Sequence, residues 1–405
     1  MAIHIEPIRC LRPRPDKAQA FATPPYDVFT SQEARNYVQE HPQSFLAIDR
    51  PETTFPPDAT PGQESLGEKA LQLLHERRQD FTLLSDQTPC FYIYELDDHG
   101  HTQTGVVGAI AVEDYLSGAL MPHEQTRPVQ EAERKAQIEA TGAQMSPALI
   151  AYPDQLALGI ILGSAKQAQP LYDFSDADGV EHKVWRIARS AATDAIAAAF
   201  TCVDCAYIAD GHHRFAAAVS HAQDEERAHD SMGAAGSVLA VLFPESQLSI
   251  RAYHRVLLDS SISTEEFLAQ MSEAGFEMSG PLSAPYLPSA HHSFGCSVGG
   301  VWYAAHWPHT GADIVSDLDV SVLQDHVLAP LFGVVDPRRD PRMRFVGADD
   351  IDALVATAEG GLAFTLCATT MSEIAAVAHE GKFMPPKSTW FWPKLMSGLF
   401  VRKLT

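Results

Sequence analysis

The chain has 405 residues, 45% hydrophobic and 20% charged, with 52 acidic against 29 basic side chains and a formal net charge of −23. This is the composition of a globular protein with length for two or three domains, not of a disordered chain. The acidic surplus argues against a nucleic-acid partner, which needs clustered Lys and Arg, and the richest apolar stretch, Leu156 to Gly163, is too short to span a membrane.

Thr30-Ser31-Gln32-Glu33 is a capping-box pattern that predicts a helix from Ser31 to about Glu40, stopping before Pro42. The stretch Pro51 to Gln63 carries four prolines and is expected as a loop. Leu66, Ala70, Leu73 and Leu74 then fall on one helix face. Strands are expected at Phe91 to Leu96, Val106 to Val112, Ala148 to Tyr152 and His182 to Ile187, with helices at Gln130 to Ala140 and Ala191 to Phe200. A short strand, Ala206 to Ala209, leads through Asp210-Gly211-His212-His213-Arg214 into a helix from Phe215 to His221. Beyond Val238 to Phe243 the alternation continues. Helices are expected at Thr264 to Ala274, Val320 to Leu331, Asp350 to Ala358 and Ser372 to His379, and strands at Val301 to His306, Arg344 to Val346 and Phe364 to Leu366. The fold class expected is α/β, or α+β with mixed sheets, in two lobes spanning residues 1–245 and 246–405.

The residue types point to an anion site at the turn. A helix N-terminus presents backbone N–H groups and the positive end of a dipole. Gly211 permits close approach, and Arg214 offers a forked donor set to phosphate oxygens. The same residues also read as an ordinary helix start with two surface histidines. Glu124, in the loop segment His123-Glu124-Gln125-Thr126, is a candidate general base or metal ligand, or a solvated turn residue. The last 25 residues hold Lys382, Lys387, Lys394, Arg402 and Lys403; Lys387-Ser388-Thr389 after Pro385-Pro386 could hold a phosphate or carboxylate. Thr23-Pro24-Pro25-Tyr26-Asp27 is expected to be a stiff structural element. Six scattered cysteines suit a reducing cytoplasm, no secretory signal is apparent, and Cys202-x-x-Cys205 lacks a second pair to complete a zinc site.

Pro122-His123-Glu124-Gln125, Ile208 to Arg214 and Gly381 to Thr389 together resemble the free-serine kinases of archaea, in the ParB/sulfiredoxin-like superfamily. Ala22 to Val28, His182-Lys183-Val184-Trp185 and Pro386 to Phe391 resemble a large bacterial family of unknown function related to those kinases, over nearly the whole chain. The resemblance implies a cytoplasmic kinase that moves a phosphoryl group from ADP or ATP, with Mg²⁺, to a hydroxyl of serine or a related small metabolite. It implies catalytic roles for Glu124 and Asp210, nucleotide binding by Gly211, His212, His213 and Arg214, and substrate binding by Lys387, Ser388, Thr389 and His123. The kinases' second functional glutamate falls here on Gln130, with Glu131 adjacent, and Trp390 and Phe391 replace their basic residues after the last motif. The basic C-terminal segment is expected to fold back over the nucleotide cleft. A non-catalytic nucleotide-responsive switch is the alternative, and a zinc-stabilised structural protein built on Cys202 and Cys205 is a third.

Overall fold

The computed structural model describes residues 2–347 and 350–404. The protein is mixed α/β and divides into two compact units, the first comprising the chain up to Leu248 and again from Pro393 on, the second Ser249–Trp392. The expectation of lobes at 1–245 and 246–405 places the last residues in the second lobe; in the fold, residues from Pro393 onward belong to the first unit.

The first unit is built on a nine-stranded sheet. Its order is Leu120–Pro122, Ala206–Asp210, Ala148–Tyr152, Ser237–Pro244, His101–Ala111, Phe91–Asp98, Glu181–Ile187 and Tyr172–Ser175, with Ile5–Glu6 added beside His101–Ala111. Inner strands are apolar almost throughout because helices cover them, and Phe91, Ile93, Val106, Ile110, Ile150, Ile196, Phe200, Phe215 and Leu242 share one core. Full burial of each such side chain stabilises the fold by roughly 1.5–3 kcal/mol. A second core gathers Phe21, Phe45, Leu46, Leu73, Leu74 and Val401. The helix Ser31–Glu40 begins as its capping box requires: Thr30 Oγ1 accepts from the Glu33 N–H at 3.3 Å, and Glu33 accepts from the Thr30 N–H at 2.7 Å.

A four-stranded sheet, Leu83–Ser85, Cys10–Pro13, Val401–Lys403 and Ala143–Gln144, ties the returning C-terminal segment into this unit. Thr23 and Ser397 exchange backbone hydrogen bonds of 3.1 and 2.8 Å, fixing the chain just beyond Lys394.

The second unit holds a six-stranded antiparallel sheet, ordered Glu277–Leu282, Val301–His306, Ser293–Val298, Leu362–Thr365, Tyr253–Leu257 and Met343–Gly347, and a two-stranded ribbon of Ser249–Arg251 with Trp390–Trp392. Among the elements that differ from expectation are two helices. The helix expected over Val320 to Leu331 is α-helical at Asp319–Leu323, widens to a π-turn at Gln324–Leu328 and resumes at Ala329–Phe332. Pro330 has no N–H to complete the α-helical ladder there. The helix after Gly211 starts at His212 rather than Phe215 and runs to His229.

Candidate functional site

The site is positioned by two strands of the first unit that run side by side in the same direction. Ala206–Asp210 pairs in parallel with Leu120–Pro122, with Ile208 opposite Pro122. Parallel partners end at the same edge of a sheet, so the residues following each, His123-Glu124 and Gly211-His212, emerge together. This alignment joins two motifs that lie far apart in sequence. The His123 ring meets the His212 ring edge to face at 4.5 Å between centroids.

Gly211 turns the chain from strand to helix at φ +88°, a left-handed conformation that favours glycine. A Cβ at this position would also stand 3.0 Å from the Arg214 guanidinium. The helix N-terminus carries no side-chain cap, and helices leave their first N–H groups without intrahelical acceptors. Arg214 is braced by donating from Nη1 to the Pro147 carbonyl at 2.7 Å.

Asp210 ends the strand. Its Oδ1 accepts from the Gly211 N–H at 2.8 Å and its Oδ2 from Lys394 Nζ at 2.8 Å. Burial alone would raise the Asp210 pKa, but Lys394 and Arg214 outweigh it and hold the carboxyl well below the usual carboxylate range. Of the basic residues in the C-terminal segment, Lys394 lies at this turn.

Hydrogen bonding assigns the tautomers of both histidines. His123 Nδ1 lies 2.9 Å from the Ile208 carbonyl, so that nitrogen donates. His212 Nε2 accepts from the His123 backbone N–H at 3.4 Å, leaving Nδ1 as its protonated nitrogen, 3.9 Å from Glu124 Oε2. Burial, reinforced for His123 by the neighbouring His212, pushes the two pKa values down to about 3 and about 4. Both rings are thus neutral near pH 7, and the fixed positive charge at the turn comes from Arg214 and Lys394. His213 accepts from the Arg127 N–H at 3.1 Å, tying the turn to the start of helix Pro128–Thr141.

Two further residues were not singled out by sequence. Arg134 Nη1 donates to buried Asp49 at 2.9 Å, and its guanidinium lies 3.9 Å from the Tyr26 ring centre. Arg214, Arg134, Asp49 and Gln137 line one small cavity; the last three also line a cleft of about 400 Å³ beside Tyr26, Asp27 and Arg50. The stiff Thr23–Asp27 element thus ends on a cleft wall. Glu131 accepts from Thr126 Oγ1 at 3.2 Å.

Lys387, Ser388 and Thr389 belong to the second unit. Lys387 adopts φ +57°, and its ammonium lies 5.1 Å from the Tyr253 ring centre. Ser388 Oγ donates to the Pro385 carbonyl at 2.6 Å, while the Lys387 and Ser388 carbonyls accept from Arg255 Nη2 at 2.9 Å and Thr369 Oγ1 at 2.8 Å. Cys202 and Cys205 are free thiols, the first exposed, and among the described residues neither joins a group able to hold a metal ion. No helix is long and apolar enough to cross a membrane, among the described residues.

No curated protein matches the chain. Among solved structures it is similar to a variant of free serine kinase in complex with ADP, at 15% identity over 72% of this chain and 92% of that one, with a TM-score of 0.37. It is similar to a conserved hypothetical protein from Pyrococcus furiosus, at 14% identity over 73% and 95% with a TM-score of 0.36. It is also similar to SbnI with a C-terminal truncation from Staphylococcus aureus, at 15% identity over 73% and 87% with a TM-score of 0.37. The family described as "Protein of unknown function (DUF1015)" matches residues 5–321, and this chain belongs to it.

Proposed function

We propose that the protein is a nucleotide-dependent phosphotransferase acting on a hydroxyl of a small metabolite, with a ParB/sulfiredoxin-like phosphate turn. The observation that carries this reading is the parallel pairing that brings Glu124 beside a left-handed glycine turn and an arginine at a helix N-terminus. Phosphoryl transfer is mainly positioning and neutralisation of charge on oxygens. In this reading the helix N-terminus with Gly211, His212 and His213 receives the phosphates of ADP or ATP, and Arg214 binds their oxygens. Asp210 acts through Lys394, which it holds at the turn. The rest of the nucleotide lies toward the cleft walled by Arg134 and Tyr26.

Glu124 takes the proton of the acceptor hydroxyl as its oxygen bonds to phosphorus and the bond to the leaving phosphate breaks. His123 orients that acceptor, serine or a related hydroxy metabolite. Magnesium prefers oxygen ligands. Both Asp210 oxygens are engaged, so the ion would be carried on the phosphates, with Glu124 as the nearby carboxylate.

The test is thermal unfolding with ADP or ATP and Mg²⁺, since a ligand of the folded state raises the melting temperature. The expected outcome is a rise in wild-type protein and an affinity weaker by about 10–100-fold in Arg214→Ala, the worth of hydrogen bonds to a charged group. Equal affinity in both proteins would remove the phosphate turn from the mechanism. Nucleotide binding with no turnover of any hydroxy metabolite would favour the switch reading.

A further inference from the structure

The second unit contains a side-chain cluster that the phosphotransfer reading does not use. His291 lies two residues before the strand Ser293–Val298, Asp319 opens the helix Asp319–Leu323, and Cys367 lies two residues after the strand Leu362–Thr365. One donor atom from each lies within 4.8 Å of the others. Glu373, in the first turn of helix Met371–His379, places Oε1 3.6 Å from His291 Nδ1.

Both carboxylates are held in the same manner. Asp319 Oδ1 accepts from the His292 N–H at 2.7 Å, leaving Oδ2 3.8 Å from His291 Nδ1. Glu373 Oε2 accepts from the Thr370 N–H at 2.7 Å, leaving Oε1 directed at the same imidazole. The Asp319 side chain is only 5% exposed, and its Oδ2 has no hydrogen-bond partner. A buried carboxylate oxygen without a donor is costly, and a cation is one of the few groups that compensates it.

We propose that His291, Asp319, Cys367 and Glu373 form a binding site for a divalent transition-metal ion, Zn²⁺ by the chemistry of the donors. A thiolate with an imidazole selects against Mg²⁺ and Ca²⁺, which take oxygen ligands. Tetrahedral zinc with bonds of about 2.0–2.3 Å spaces its ligand atoms about 3.3–3.8 Å apart. The His291 separations of 3.8 and 3.6 Å already match, and the His291, Asp319 and Cys367 donors, all within 4.8 Å of one another, close to that spacing with side-chain shifts on the order of 1 Å. The second oxygens, on backbone N–H groups, orient the ligands as outer-shell partners do in metal sites. Binding releases the Cys367 thiol proton to solvent, and three stretches of chain, around His291, Asp319 and Cys367 to Glu373, become joined through one ion. The site is independent of the nucleotide turn and does not involve Cys202 or Cys205.

The experiment is a Co²⁺ titration of the chelator-treated full-length chain, followed by absorption. The expected result is one equivalent bound with tetrahedral visible bands and a near-ultraviolet thiolate-to-cobalt band, both displaced by Zn²⁺. Cys367→Ser should lose the near-ultraviolet band, and Asp319→Asn should weaken binding by at least about tenfold. A Cys202→Ser/Cys205→Ser variant should keep every band. Absence of the bands in wild-type protein, or their survival in Cys367→Ser, would overturn the site. The wild-type titration decides this without relying on any variant to fold.

Discussion

Two aspartates, one in each unit, are held alike and end in opposite electrostatic states. Asp210 and Asp319 each give one oxygen to a backbone N–H, at 2.8 and 2.7 Å. The other oxygen of Asp210 accepts a hydrogen bond from Lys394, whereas that of Asp319 has no hydrogen-bond donor, only His291 Nδ1 at 3.8 Å. Burial opposes ionisation at both. Lys394 and Arg214 reverse it at Asp210, while at Asp319 it prevails over the His292 N–H and raises the pKa to about 6. A backbone donor alone therefore does not stabilise a buried carboxylate; a cation decides. At Asp210 the chain supplies that cation from its own C-terminal segment, and at Asp319 the proposed metal would.

The largest effect expected concerns what the paired region is for. Glu124→Gln keeps the side-chain shape and removes the basic oxygen charge. Turnover should fall about 10²–10⁴-fold, the usual worth of a positioned base. Nucleotide affinity, read by titration with and without Mg²⁺, should stay near wild type. Unchanged turnover would take Glu124 out of the reaction. If affinity fell in step with loss of its Mg²⁺ dependence, Glu124 would be a metal ligand instead.

Lys394→Met makes Asp210 resemble Asp319 before any metal binds. Asp210 and Lys394 side chains are 26% and 19% exposed, so solvent discounts the several kcal/mol of a fully buried pair to about 2 kcal/mol at pH 7. The pH dependence carries the sign. In wild-type protein the folded pKa of Asp210 is depressed, so its contribution is present above the unfolded value near 4 and is lost as pH falls through the folded pKa. In the variant that pKa rises; a raised group withholds stability at high pH and restores it as pH falls. Urea unfolding should show the gap between variant and wild type narrowing between pH 7 and pH 3. His123 and His212, buried and neutral, weaken both proteins as pH drops below about 6.5 and cancel in the difference. A constant gap would mean that Lys394 stabilises by packing alone.

Much of this arrangement was legible in the residues, and the exceptions are physical. The capping box at Thr30, the apolar face of Leu73 and Leu74, and the strand runs around Phe91 and Ala148 are local patterns, and the chain folds as they indicate. The segments carrying Glu124 and Asp210 were recognisable as motifs, but their meeting depends on a three-residue strand, Leu120–Pro122, too short to show any period. The Lys394–Asp210 pair spans 184 positions, and a C-terminal excess of basic residues does not say which lysine returns. Arg134 lies on a charged helix whose pattern reads as solvated surface, and only tertiary packing sets it over Tyr26. The helix start at His212 was hidden for a related reason: Gly211 supplies its turn through backbone freedom and leaves no side-chain cap to recognise.

The smallest effect tests whether that backbone, rather than the ion pair beside it, shapes the turn. Gly211→Ala adds one methyl at φ +88°, where an L-residue is disfavoured by about 1–2 kcal/mol. The contact is a lesser term. The new carbon would stand 3.0 Å from the Arg214 guanidinium, the far end of a flexible side chain that can move by a few tenths of an ångström. Moving it disturbs the 2.7 Å bond from Arg214 to the Pro147 carbonyl, and with it the aim of the group proposed to bind phosphate. The variant should therefore fold, lose about 1–2 kcal/mol in urea unfolding, and weaken in nucleotide affinity less than Arg214→Ala does. Because Lys394 and Asp210 are untouched, its loss should not shrink in acid, unlike that of Lys394→Met. An acid-sensitive loss in Gly211→Ala would show that the turn and the ion pair form one cooperative unit. A loss below about 0.5 kcal/mol would show that the turn relaxes to a conformation open to any residue.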